Sequence, residues 1–252
     1  GGGHIHSENQ YNILKWVSGS NTGNYVFPFG VGGTSTDYIP FTFNKTSTSS
    51  SDLNISTWTT NQQNMPHPDV SNVGAVTSMI GVTDSLANAI DRFWDIQSPN
   101  VVGDLTFSYR GSENTTMFPV DTFKAQHWNG TSWDVQAGVG NLGVTAGIGS
   151  VGPVTGQSTF SPWVLDRAAL KATVAAQSAI CGTQCTASAS ITPLHGISTY
   201  SYSWSDGQST AVASNLCVGT YTCLVTDSVH ATTTVTVNVI SNPLPTISSI
   251  AS

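Results

Sequence analysis

Residues 199–226 read TYSYSWSDGQSTAVASNLCVGTYTCLVT, and their alternation decides how the rest of the chain is parsed. Thr199 to Trp204, Ser209 to Ser214 and Thr220 to Thr226 are short runs of the kind that suit a pleated, half-buried surface. Asp206-Gly207 supplies the positive φ of a tight turn, so a hairpin is predicted between the first two runs. Side chains alternate along a strand with period two, which puts Tyr221, Cys223 and Val225 on one face.

Working outward, Thr173 to Ile180 and Thr186 to Thr192 precede this stretch and Ala231 to Ile240 follows it, with Val235, Val237 and Val239 sharing a face. Together these strands predict a small immunoglobulin-like sandwich over residues 168–242. Trp204 and Tyr221 stand where such cores put a strand-C Trp and a corner Tyr two residues before a Cys. Residues 243–252 read as a Pro-stiffened linker or the first strand of a following module.

Upstream, residues 1–167 are aromatic-rich and irregular. Strand-like runs occur at Asn12 to Val17, Asn24 to Phe29, Ile39 to Phe43, Leu53 to Thr59, Ala75 to Val82, Leu105 to Arg110, Phe123 to Trp128 and Phe160 to Leu165. Gly, Asn and Ser clusters separate them, the pattern of a jelly-roll-like β-sandwich. Leu86, Ile90 and Phe93 fall at near-helical spacing, but Asp91 to Ile96 also alternates like a strand. The fold class expected is therefore all-β, with two consecutive sandwich modules.

Charged residues make up 8% of the chain, against about 25% in an average soluble domain. Only two Glu are present, Glu8 and Glu113, so long helices built on Glu and Lys pairs are not expected. The seven basic residues are scattered and the net charge is -7, which argues against nucleic acid, because phosphate binding needs a clustered cationic stripe. No apolar run is long enough to insert in a membrane as a helix.

All four cysteines, Cys181, Cys185, Cys217 and Cys223, lie in the second module. An even count in one short strand-rich segment reads as two disulfides and an oxidising, extracellular compartment, with three pairings open. The inward face of Cys223 makes Cys185 with Cys223 one of them. The spacing lacks the C-x₂-C knuckles of a zinc site.

Tyr200-Ser-Tyr-Ser-Trp204-Ser-Asp-Gly207, followed by Leu216-Cys217-Val-Gly219-Thr-Tyr221-Thr-Cys223, resembles the SprB-type repeat over roughly residues 172–240. That repeat belongs to gliding adhesins and other surface proteins exported by type IX secretion. Cys181-Gly-Thr-Gln-Cys185 resembles its paired-cysteine opening, and Ser228-Val229-His230 stands where these repeats often carry a further Cys. The resemblance implies pairing of Cys185 with Cys217 and leaves Cys181 with Cys223. It also implies O-glycosylation at Asp-Ser/Thr sites, matched at Ser85 and Ser228 and more weakly at Thr122. The first module is more loosely similar to sandwich domains of the same secreted proteins, through Tyr25-Val-Phe-Pro28-Phe-Gly30, Tyr38-Ile-Pro40-Phe-Thr-Phe43 and Phe160-Ser-Pro-Trp163-Val-Leu165.

Other motifs favour plain readings. Gly138-Val-Gly140-Asn-Leu-Gly143 satisfies G-x-G-x-x-G but lacks the strand-to-helix context of a dinucleotide site, so a flexible loop is expected. His4, His6 and Glu8 alternate as same-face residues that could ligate a divalent metal, a reading outweighed by their place in a terminal segment. Seven Trp residues sit within alternating runs, which favours core packing over sugar stacking. No sequence-local Ser-His-Asp set or carboxylate pair stands out, and no metal or cofactor is expected. The reading is a modular extracellular cell-surface protein with an adhesive or fibre-forming role and no catalysis. Its expected partners are other copies or modules and surface glycans, with strand addition at exposed β-edges as one route to a filament. The alternative is a carbohydrate-binding accessory module of a larger secreted hydrolase.

Overall fold

A computed structural model describes residues 3–69, 88–178, 185–196, 198–228 and 230–241. The protein is all-β, and every strand pair among the described residues is antiparallel. No helix among the described residues is long and apolar enough to cross a membrane. The chain divides into two compact units, residues 1–168 and 169–252.

Among the described residues the first unit holds ten strands: β1 (Leu14–Val17), β2 (Gly23–Phe27), β3 (Phe41–Lys45), β4 (Asp52–Thr59), β5 (Arg92–Gln97), β6 (Gly103–Arg110), β7 (Thr122–His127), β8 (Ala137–Leu142), β9 (Ile148–Gln157) and β10 (Pro162–Arg167). They form a six-stranded sheet in the order β1-β4-β5-β10-β7-β8 and a four-stranded sheet in the order β2-β3-β6-β9. Inward residues of both sheets share one core. Trp94 on β5 and Trp163 on β10 are register partners, and they meet Phe41 and Phe107 of the other sheet with ring centroids 5.5 Å apart in each case. Such ring pairs add about 0.5–1.5 kcal/mol beyond the area they bury.

The glycine-rich stretch expected as a flexible loop is strand β8, followed by β9. Glycine serves close packing there. A Cβ on Gly149 would lie 2.1 Å from Cζ of Tyr109, its register partner on β6, so only glycine lets the ring lie flat against the strand. Around Asp91, the strand alternation prevails over the helical spacing, since Arg92–Gln97 is β5. Residues 84–87, and the run expected from Ala75 to Val82, lie outside the described residues.

The second unit holds β11 (Lys171–Gln177), β12 (Ala187–Leu194), β13 (Ser201–Trp204), β14 (Val212–Leu216), β15 (Gly219–Thr226) and β16 (Thr232–Val239). Two three-stranded sheets, β11-β12-β14 and β13-β15-β16, close over Ala189, Ile191, Leu216, Trp204, Val225 and Val237. The hairpin expected at Asp206-Gly207 is corrected, because β13 pairs with β15 while β14 pairs with β12. Gly207 does take φ +90° in a tight turn, where its N–H donates to Trp204 O (2.9 Å), but the chain then crosses to the facing sheet. Turn chemistry fixes the bend locally; the burial of Ala213 and Leu216 decides which sheet the next strand joins. Residues 242–252 lie outside the described residues.

Candidate functional site

In the second unit, Cys185 and Cys217 form a disulfide. Ala187 and Leu216 are register partners, so the bridge closes the end of the β12–β14 ladder within one sheet, and both cysteines are exposed. The Cys223 thiol is free and fully buried opposite Trp204, and burial pushes its pKa up. Its expected partner, Cys181, lies outside the described residues; Cys185 with Cys223 is excluded. Tyr221 Oη accepts from Cys217 N–H (3.1 Å) and donates to Cys217 O (3.2 Å), a corner contact reaching four residues back to the disulfide.

The first unit carries a cluster that sequence reading missed. Arg92 on β5 is wholly buried and donates to Glu113 Oε2 (2.9 Å) and Oε1 (2.6 Å), Thr57 Oγ1 (2.9 Å), Thr59 Oγ1 (2.8 Å) and Glu8 Oε1 (2.9 Å). Arg110 Nε adds a bond to Glu113 Oε1 (2.9 Å). Burial alone would raise the Glu113 pKa, but the hydrogen bonds and charge of Arg92, with help from Arg110, hold it below the usual carboxylate range. Glu8 thus ties the N-terminal segment to the six-stranded sheet, a task shared by Ser7 Oγ, which accepts from Thr57 N–H (3.1 Å). His4, His6 and Glu8 do not converge: Glu8 turns to Arg92 and His6 Nε2 lies 3.0 Å from Val31 O. Among the described residues no group of three His, Cys, Asp or Glu is arranged for a metal ion.

Beside this anchor lies a cleft of about 320 Å³ whose walls include Gln10, Tyr11, Trp58, His67 and Asp69. Tyr11 is 68% exposed, yet its hydroxyl is fixed by a 2.5 Å bond to Asp69 Oδ2. Gln10 Nε2 donates to the same oxygen (2.6 Å), and Gln10 Oε1 accepts from Asp69 N–H (2.9 Å). The Tyr11 hydrogen bond lowers the Asp69 pKa, and burial lowers that of His67. Trp58 floors a small apolar cluster with Phe93 and Val164, apart from the main core. Most Trp rings are buried, as core packing requires.

A third arrangement joins Ser161, His127 and Asp134. Ser161 Oγ lies 2.8 Å from His127 Nε2, and His127 Nδ1 lies 2.8 Å from Asp134 Oδ2. The connectivity is that of a nucleophilic triad. Ser161 Oγ–H, however, is turned onto the main-chain carbonyl of Trp128, and Asp134 also accepts from Asn129 Nδ2 (2.7 Å). Asp134 N–H donates to His127 O (2.7 Å), so the set clamps the turn at 129–132 between the bridged pair Trp128 and Trp133.

Of the expected glycosylation sites, Ser228 is exposed at the turn joining β15 and β16, Thr122 is half-buried at the start of β7, and Ser85 lies outside the described residues. No protein-family model, curated protein or solved structure matches the chain.

Proposed function

We propose that the chain is part of an extracellular, non-catalytic cell-surface protein with an adhesive or fibre-forming role, its second unit being a SprB-type repeat of immunoglobulin-like character. The observation that carries the reading is the exposed Cys185–Cys217 bridge, which persists only where the surroundings are oxidising. The outward positions of β16 add support, because Thr232, Thr234 and Thr236 dress that face with uncharged hydroxyls suited to contact. Ser228 at its exposed turn suits O-glycosylation; Thr122, half-buried in a ladder, suits it less. A second reading, a carbohydrate-binding accessory module, is favoured by the cleft beside Tyr11.

Immunogold electron microscopy of native cells tests the proposal. Label on the cell surface or on fibres is expected, together with a hexose-scale mass excess on the peptide holding Ser228. Label confined to the cytosol overturns it.

A further inference from the structure

We infer that the cleft beside Tyr11 is a binding site for one uncharged pyranose ring of a glycan. The inference rests on the surface-protein reading and gives its contact site a place and a ligand class. Its first support is an aromatic face that the core does not need. Tyr11 is held in one orientation through Asp69 while 68% of it stays exposed, and a rigid exposed ring presents a flat apolar face to the C–H side of a sugar.

The second support is paired polarity. Asp69 Oδ2 takes the bonds from both Tyr11 and Gln10, so Oδ1 remains to accept from a ligand hydroxyl. Charge narrows the class further. Asp69 lines the cleft with a carboxylate, Glu8 beside it is already paired with Arg92, and no Lys or Arg is among the described lining residues, which repels uronic and sialic acids and admits neutral sugars. Size narrows it again, since about 320 Å³ is at the lower end of small-molecule sites and suits a single ring.

The wall is preorganised from beneath. Glu8 binds the buried Arg92, and Ser7 Oγ spans from Thr57 N–H to Asn12 O (2.8 Å), fixing the segment that carries Gln10 and Tyr11 before any ligand arrives. A ligand of about a dozen heavy atoms at ordinary efficiency gives a Kd of about 1 mM.

The test is saturation-transfer NMR on the whole chain with methyl β-D-glucopyranoside, methyl β-D-galactopyranoside, N-acetylglucosamine and glucuronate as probes. At least one uncharged probe is expected to bind and glucuronate to give no signal. Tyr11→Ala should weaken binding roughly tenfold, and Asp69→Asn should weaken it too, with thermal unfolding of each variant recorded to show that it folds. Should Tyr11→Ala fail to fold, Tyr11→Leu takes its place. Absence of binding by every uncharged probe overturns the inference, as does stronger binding of glucuronate or binding that the Tyr11 substitution leaves unchanged. A chain found on the cell surface that binds no sugar defeats this inference alone, whereas a cytosolic location defeats the reading beneath it.

Discussion

Arg92 Nη2 stands 2.6 Å from Glu113 Oε1, with side-chain exposures of 0% and 2%. Two charges leave water there, and they are stable in the fold because every arm of the guanidinium is matched by Glu113, Glu8, Thr57 or Thr59. Removing one partner strands the other in a medium that solvates it poorly. Glu113→Gln and Arg92→Met are each expected to destabilise the first unit by about 3–5 kcal/mol. Denaturant unfolding of residues 1–168 measures the loss, and a change under 1 kcal/mol would show that water reaches the pair.

The same pair sets a pH dependence. Because the folded-state pKa of Glu113 lies below its unfolded value, its contribution is present above the unfolded pKa of about 4.3 and is lost as pH falls through the folded one. Asp95 has the opposite sign. Burial raises its pKa, only partly offset by the bond from Gln97 Nε2 (2.7 Å), so stability falls as pH rises from its unfolded pKa through the folded one. Thermal melts from pH 3 to 7 should therefore show Asp95→Asn raising Tm only at the upper end. Glu113→Gln should flatten the acid limb. Reversal of either trend removes the corresponding account.

Cys185–Cys217 and Cys223 should part chemically. Reduction of the exposed bridge is expected to lower the stability of the second unit by about 2–4 kcal/mol, with the chain still folded. Maleimide should leave Cys223 unmodified in the native protein and label it after denaturation, because its thiol is sealed behind Trp204 and burial raises its pKa. Mass spectrometry of the alkylated peptides reads both results. Fast native labelling of Cys223 would mean that the two sheets open readily.

The alternation that reveals strands is a local signal, so β12, β15 and β16 were legible to within a few residues and the six-stranded sheet order was not. Sheet order depends on partners far apart in sequence, as when β1 pairs with β4 and β10 lies between β5 and β7. Asp206-Gly207 shows the limit well: its turn is real, but the partner of β14 is chosen by burial. Gly138 to Gly149 misled because its glycines serve strands: Gly138 takes φ +84°, and a Cβ on Gly143 or Gly149 would run into the ring of Phe123 or Tyr109, which no window of sequence displays. The Arg92 cluster did leave one trace. The chain has only two Glu, and both Glu8 and Glu113 bind Arg92, so their rarity marked them even though residues 8 and 113 are remote in sequence.

Ser161 bears most directly on the proposal that the chain is non-catalytic. Its bond to His127, and that of His127 to Asp134, reproduce the order of a hydrolytic triad, yet the hydroxyl proton points to Trp128 O and the three residues brace a turn. A serine activated by imidazole reacts quickly with a fluorophosphonate, and one engaged with a carbonyl does not. No adduct at Ser161 is expected under conditions that label trypsin fully. Ser161→Ala should instead lower the stability of the first unit by about 1 kcal/mol, the worth of an ordinary hydrogen bond. Stoichiometric labelling of Ser161 that disappears in His127→Ala would make the first unit a hydrolase, and the reading of this chain as a contact surface would have to be abandoned.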